Sequence, residues 1–141
     1  MTQSAKAFQC DRTLRDLRTG LEAVHHDTES ALAIHGYDDG ARFAIRLAIE
    51  EAVVNAFRHG NREDPAKTVR FVADIGVDAA AFEIEDQGAG FDPRRVPDPT
   101  ADENLEIPSG RGVMLIKAYM TEVEYLPPGN RLRMVYRRAQ K

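Results

Sequence analysis

Residues 50–60 read Glu50-Glu51-Ala52-Val53-Val54-Asn55-Ala56-Phe57-Arg58-His59-Gly60 and set two acids and an amide into an otherwise apolar stretch. Apolar spacing predicts a mostly buried helix from Ala41 to about Arg58. Glu51 and Asn55 are four residues apart and therefore share one face of that helix. A carboxylate and an amide on one wall of a pocket can orient a hydroxyl nucleophile and ligate Mg²⁺ through oxygen. Taken alone, however, the stretch is better explained as a helix with one polar stripe.

Outward from this helix, the pattern predicts an α+β fold. Apolar spacing before it predicts a short strand and a helix, and alternation after it predicts two strands, a third helix and a final hairpin. This order favours a two-layer sandwich, with helices on one face of a mixed, mostly antiparallel sheet. The predicted helices are Thr13–His35 and Arg111–Met120, besides the one described above. The predicted strands are Lys6–Cys10, Val69–Ile75, Phe82–Glu85, Glu122–Leu126 and Arg131–Arg137.

A second motif, Asp86-Gln87-Gly88-Ala89-Gly90, directly follows the predicted strand Phe82–Glu85. Two glycines allow the backbone to turn sharply or to approach a ligand closely. Asp86, at the end of the strand, can accept a hydrogen bond from an amino group such as that of adenine. An ordinary turn from strand to loop would use the same residue types.

A third motif, Ser109-Gly110-Arg111-Gly112, leads into the third helix. Free N–H groups and the dipole at a helix N-terminus favour a phosphate. The two glycines would let backbone donors reach it, and Ser109 or Arg111 would add a side-chain contact. The alternative is a flexible hinge, because a proline-rich segment predicted to be a lid (about residues 91–109) comes before it.

Composition limits the possible function classes. A chain of 141 residues fits one domain, 1–141, and its net charge of −4 gives no electrostatic support for direct nucleic-acid binding. We expect no membrane partner, because no charged-then-apolar leader and no apolar run of roughly 20 residues is present. The single cysteine, Cys10, excludes an intrachain disulfide and suits a cytoplasmic location.

Together and in this order, the three motifs resemble those of the GHKL superfamily: Glu51 to Asn55 its N box, Asp86 to Gly90 its G1 box, and Gly110 to Gly112 its G2 box. The resemblance implies a Bergerat fold that binds ATP and Mg²⁺. It implies that Asn55 ligates the metal, Asp86 binds the adenine amino group and Glu51 is the general base. His59 either borders the phosphates or meets the dipole at the helix end. The predicted nucleotide-binding set is Asn55, His59, Asp86, Gly88, Gly90, Ser109, Gly110, Arg111 and Gly112.

Within that superfamily, the segments 47–56, 112–116 and 122–125 resemble the RsbW-like anti-sigma factors. This resemblance implies a homodimeric serine/threonine kinase that binds a sigma factor and phosphorylates a STAS-domain antagonist. Those proteins carry an arginine just before the Ser-Gly of the G2 box, whereas this chain has Glu106-Ile107-Pro108 before Ser109. Arg111 is the residue that could replace it.

Two alternatives stay open. One is a non-catalytic ATP-binding switch that holds its partner, because charge at the γ-phosphate matters greatly for transfer and the arginine before Ser109 is missing. The other is the ATP-binding subunit of a split histidine kinase, which ranks lower because the chain has no phosphoacceptor helix pair.

Overall fold

The computed structural model describes residues 6–88, 110–126 and 130–138. This part of the chain forms three helices and five strands in the order β-α-α-β-β-α-β-β, and a single π-helical turn, Ala56–Gly60, continues the second helix. None of the helices described in these ranges is long and apolar enough to cross a membrane. The elements are β1 Phe8–Leu14, α1 Leu17–Ile34, α2 Asp39–Asn55, β2 Val69–Ile75, β3 Ala79–Glu85, α3 Gly110–Tyr119, β4 Glu122–Leu126 and β5 Arg131–Arg137.

The five strands form one sheet in the order β1-β2-β3-β5-β4, and each neighbouring pair is antiparallel. The sheet is thus more uniformly antiparallel than the mixed sheet that the sequence predicts. Register places the end of β3 beside the starts of β2 and β5, since Glu85 pairs with both Arg70 and Arg131. We call this end of the sheet the upper edge and the opposite end the lower edge.

Strict alternation puts one face of the sheet against the helices. In β2, Val69, Phe71, Ala73 and Ile75 are buried, whereas Arg70 and Asp74 between them are exposed. The helices contribute apolar residues to the same core, which confirms the two-layer α+β fold. Burying each large side chain of this kind stabilises the fold by about 1.5–3 kcal/mol. Those almost completely buried include Leu32, Ile45, Ile49, Val53, Phe82, Ile116 and Met134.

The first two helices begin at aspartates that cap their backbone N–H groups. Asp16 accepts a hydrogen bond from the Thr19 N–H (2.9 Å), and Asp38 accepts one from the Ala41 N–H (2.8 Å). The predicted start of the first helix at Thr13 is wrong. Strand β1 runs on to Leu14, which is buried and pairs with Val69, so the helix begins only after the strand is complete.

The end of α2 also differs from the prediction, which continued the α-helix to about Arg58. The α-helix ends at Asn55, and the following π turn holds one more residue than an α turn would. The Asn61 N–H closes this turn by donating to the Ala56 carbonyl (2.8 Å). Arg62 and Glu63 then take left-handed backbone angles (φ 53° and 59°), which stop the helix.

Helix α3 lies antiparallel to α2. The rings of Phe43, near the start of α2, and Tyr119, at the end of α3, meet edge-on with centroids 6.2 Å apart. Because the two helices contact each other extensively, the start of α3 lies toward the end of α2. That end is at the upper edge, since α2 leads through the π turn into the start of β2.

Arg138, just after β5, fastens the lower edge. Its guanidinium donates to the carbonyls of His35 (3.0 Å), Gly36 (2.8 Å) and Val77 (2.9 Å). It also lies 4.5 Å from the ring centroid of Tyr37. One side chain therefore connects the end of α1, the β2–β3 turn and the end of β5, and we call this set of contacts the Arg138 clasp.

Candidate functional site

Asp86 occupies a fixed position where the chain leaves β3. Its backbone N–H donates to the Asn130 carbonyl, and the Asn130 Nδ2 donates to the Asp86 carbonyl, both at 2.9 Å. Its carboxyl Oδ1 accepts from the Gly88 N–H at 2.7 Å. Backbone and carboxyl are both held, so this acid is oriented before any ligand arrives.

Two glycines let the π turn approach this carboxyl closely. A Cβ added to Gly60 would lie 2.0 Å from Asp86 Oδ2, and one added to Gly88 would lie 1.9 Å from the Gly60 carbonyl oxygen. Neither position can hold a side chain unless the backbone moves. The end of α2 and the end of β3 are therefore in direct contact at the upper edge.

The surroundings of Asp86 disfavour its ionised form. Burial raises the pKa of Asp86 above its ordinary value of 3.8, and the nearby Glu85 acts in the same direction. The hydrogen bond from Gly88 and the charge of Lys67 oppose this rise in pKa without cancelling it. A half-buried carboxylate of this kind gains from any ligand that donates a hydrogen bond to it.

Asn61 connects the π turn to the start of β2 and to the residue that follows Asp86. Its side chain is 1% exposed, its Oδ1 accepts from the Gln87 N–H (2.7 Å) and its Nδ2 donates to the Thr68 carbonyl (3.0 Å). Gln87 completes the ring, because its Oε1 accepts from the Thr68 N–H (2.7 Å). We call Asn61, Thr68 and Gln87 the amide bracket. Sequence reasoning missed it, since His-Gly-Asn after a helix indicates only a stop.

Glu51 and Asn55 lie on the last turns of α2, and both are half-buried. The Asn55 Nδ2 is buried and has no hydrogen-bond partner among the described residues. A buried amide of this kind indicates a group available to a ligand. Glu50 faces elsewhere: its carboxylate lies 3.7 Å from His25 Nε2 on α1. Of the two adjacent acids, Glu50 is thus the one that lies beside α1.

The chemistry of these side chains fits a nucleotide-bound Mg²⁺ better than a metal held by protein alone. The described ranges contain no group of three or more His, Cys, Asp or Glu residues that could hold a metal ion. Mg²⁺ commonly binds proteins through one or two oxygen ligands together with substrate phosphates and water. The amide oxygen of Asn55 could supply such a ligand.

The remaining predicted residues are placed in part. The backbone of Gly110, Arg111 and Gly112 forms the first turn of α3, where helical N–H groups have no intrahelical acceptor. His59 is half-buried in the π turn, directly before Gly60. The structure thus brings His59, Asn55, Asp86 and Gly88 to the upper edge. Gly90, Ser109 and the predicted lid of about 91–109 lie outside the described residues.

Comparison with known proteins agrees with this architecture. Residues 14–136 match the sequence profile of a family described as the histidine kinase-like ATPase domain. An anti-sigma F factor of Clostridium perfringens strain SM101 is 33% identical over 90 residues, which are 62% of this chain and 64% of that protein. An anti-sigma F factor of strain ATCC 13124 is 35% identical over 83 residues, 57% of this chain and 59% of that protein.

The matches to these two relatives thus cover less than two thirds of either protein's length. The family match, in contrast, runs from the end of β1 through nearly all of β5 and includes each helix described above. The chain therefore belongs to the histidine kinase-like ATPase domain family of the GHKL superfamily.

Proposed function

We propose that this domain binds ATP with Mg²⁺ and, as an anti-sigma factor, phosphorylates a serine or threonine of a STAS-domain antagonist. The observation that carries the proposal is the placement of Asp86. It is an oriented, half-buried carboxylate at a strand end, in close contact with the glycine that ends the π turn. The exocyclic amino group of adenine is the donor that such an acceptor would select.

The phosphates would lie between the end of α2 and the start of α3. The N-terminus of α3 carries backbone N–H groups and a positive dipole end, and both favour a phosphate. Gly110, Gly112, Arg111 and Ser109 are the contacts we assign there. Asn55 would hold Mg²⁺, which neutralises phosphate charge when bound.

Glu51 is our candidate general base. It shares a helix face with Asn55, so a hydroxyl brought to the metal-bound phosphates would lie near its carboxylate. A base at this position accepts the proton of the attacking hydroxyl as the phosphoryl group moves. The neighbouring Glu50 faces His25 instead and is a natural control.

The regulatory part of the proposal rests on the relatives. Both curated relatives carry the name anti-sigma F factor, which supports a sigma factor as the partner of this chain. The STAS-domain antagonist, a homodimeric assembly and a cytoplasmic location complete the proposal. They follow from the resemblance to RsbW-like proteins.

Calorimetric titration with ATP and ADP, with and without Mg²⁺, tests nucleotide binding. We expect saturable, Mg²⁺-sensitive binding that Asp86→Asn weakens at least about tenfold, because a lost charged hydrogen bond costs about 1.5–3 kcal/mol. Asp74→Asn is the matched control, since Asp74 is exposed on β2 and pairs with Ala81 away from the upper edge. No binding at millimolar nucleotide would refute the proposal.

Transfer is tested separately with γ-labelled ATP and purified STAS-domain proteins. We expect Glu51→Ala to abolish labelling while ATP affinity stays within about threefold of wild type, and Glu50→Ala to retain labelling. An unchanged rate in Glu51→Ala would remove this residue from the mechanism.

A second candidate function is a non-catalytic switch that binds ATP and holds its partner. The observation that favours it is the sequence Glu106-Ile107-Pro108 before Ser109, which has no arginine for the terminal phosphate. Stoichiometric partner binding without label transfer would support this alternative. Acid-labile phosphate on a partner would instead indicate a subunit of a split histidine kinase.

A further inference from the structure

We propose that Asn61, assisted by Gln87, is a positioning residue that sets the base specificity of the nucleotide site by fixing where Asp86 lies relative to Gly60. This inference rests on the proposed function, because it assigns Asp86 to the adenine. It adds Asn61, a residue outside the three sequence motifs, and it makes purine discrimination depend on a buried side chain that does not touch the base.

Each end of the amide bracket is adjacent in sequence to one side of the contact between Gly60 and Asp86. Asn61 directly follows Gly60, the glycine beneath the Asp86 carboxyl, and Gln87 directly follows Asp86 itself. The 2.7 Å hydrogen bond from the Gln87 N–H to Asn61 Oδ1 therefore joins the residue that follows Gly60 to the residue that follows Asp86. One hydrogen bond sets the separation of these two segments.

Both ends of the Asn61 amide are used. The Nδ2 donates to the Thr68 carbonyl at the start of β2, so the π turn is fixed to the strand that pairs with β3. The side chain is 1% exposed, so water cannot readily replace either bond. Asn130 holds Asp86 only from the β5 side. Without Asn61, the bond to the π turn would be lost, and on the β2 side only the weaker, exposed Gln87–Thr68 bond would hold the residue after Asp86.

A positioned carboxylate discriminates between purines because it accepts hydrogen bonds and repels other acceptors. The 6-amino group of adenine donates a hydrogen bond to it, whereas the 6-oxo group of guanine presents a second acceptor and is repelled. Displacing Asp86 would therefore weaken ATP and leave GTP, already bound poorly, nearly unchanged. A purely structural role for Asn61 would instead lower the folded fraction and affect both nucleotides alike.

The test is a double-mutant cycle on the full chain, titrating ATP and GTP calorimetrically with Mg²⁺. We expect Asn61→Ala to reduce the ATP-over-GTP preference about tenfold, as for a buried polar group left unpaired. In the Asp86→Asn background, Asn61→Ala should change ATP affinity less than about twofold. Thr28→Ala, at a buried polar residue on α1, is the control for destabilisation and should leave the preference unchanged.

Each outcome separates this inference from the function on which it rests. Equal losses for ATP and GTP in Asn61→Ala, or a full further loss in the Asp86→Asn background, would overturn the positioning role. Wild type that binds no ATP, or Asp86→Asn that binds it normally, would overturn the nucleotide site itself.

Gln87→Ala keeps the test decisive if Asn61→Ala does not fold. The Gln87 side chain is exposed, so removing it should not disturb the packing of the core. It removes the bond to the Thr68 N–H and should lower the ATP-over-GTP preference about threefold. An unchanged preference in that variant would contradict the proposal.

Discussion

Asp86 shows how a single residue can serve binding at a cost to folding. Its half-buried carboxyl has a raised pKa, so ionisation is less favourable in the folded chain than in the unfolded one. Binding and folding therefore make opposite demands on this side chain when no ligand is present.

We expect Asp86→Asn to stabilise the ligand-free protein while it weakens ATP binding. The amide keeps an oxygen for the Gly88 N–H and removes the unfavourable charge, so Tm should rise by about 1–4 °C at pH 7. Scanning calorimetry of the apo protein checks this, with Asp74→Asn on the exposed face as the control. A lower Tm in Asp86→Asn would mean that the carboxylate is stabilising.

The same raised pKa gives a direction for pH dependence. Because the folded pKa lies above 3.8, the stability that this group contributes is complete below pH 3.8 and is lost as pH rises through the raised value. ATP affinity runs the other way and falls as acidification protonates the acceptor. The ratio of the wild-type ATP affinity to the Asp86→Asn ATP affinity should shrink as the pH is lowered from 7. Taking this ratio cancels the effect of phosphate protonation, which both proteins share. A constant ratio would contradict this.

Gly60→Ala tests the close contact beneath Asp86. The added Cβ would lie 2.0 Å from Asp86 Oδ2, so either the π turn or the acid must move, and we expect ATP affinity to fall at least about tenfold. Gly40→Ala is the matched control, because its Cβ would meet only Asp38 Oδ1 at an ordinary 3.6 Å. Comparable affinities for the two variants would show that the contact is not needed.

At the scale of elements, the sequence pattern predicted the helices and strands whose limits depend on neighbouring residues. Strands β4 and β5 have the predicted bounds, because their alternation is encoded in neighbouring residues. The start of α1 was wrong because the β1 boundary depends on pairing with β2, which is distant in sequence. The π turn was missed because no side-chain pattern distinguishes it from a continuing α-helix.

The clasp at Arg138 gives a prediction at the same scale. Arg138→Ala removes three hydrogen bonds to carbonyls and a contact with Tyr37, and we expect the free energy of unfolding to fall by about 2–3 kcal/mol. ATP affinity of the folded protein should stay unchanged, since the clasp lies at the lower edge. Denaturant unfolding with parallel calorimetry checks both. Arg138→Lys, with a single cationic group, should recover little of the loss.

At the scale of the whole molecule, the candidate site was predictable as a set of motifs but not as a set of contacts. Glu51, Asn55 and Asp86 were identifiable because their residue types break an apolar or alternating pattern. The amide bracket was not, because Asn61 gains its role only when β2 and β3 arrive beside the π turn. Long-range hydrogen bonds of this kind leave no periodic trace in the sequence.

The strand order β1-β2-β3-β5-β4 has a consequence for the chain as it leaves the ribosome. Strand β4 is synthesised before β5, yet among the described strands it pairs only with β5, so β3 keeps an open edge until β5 emerges and inserts between them. Asn130, which holds the Asp86 backbone, lies in that late hairpin. A nascent chain exposed only to residue 126 should therefore remain protease-sensitive and unable to retain ATP, which makes nucleotide capture depend on the emergence of β5.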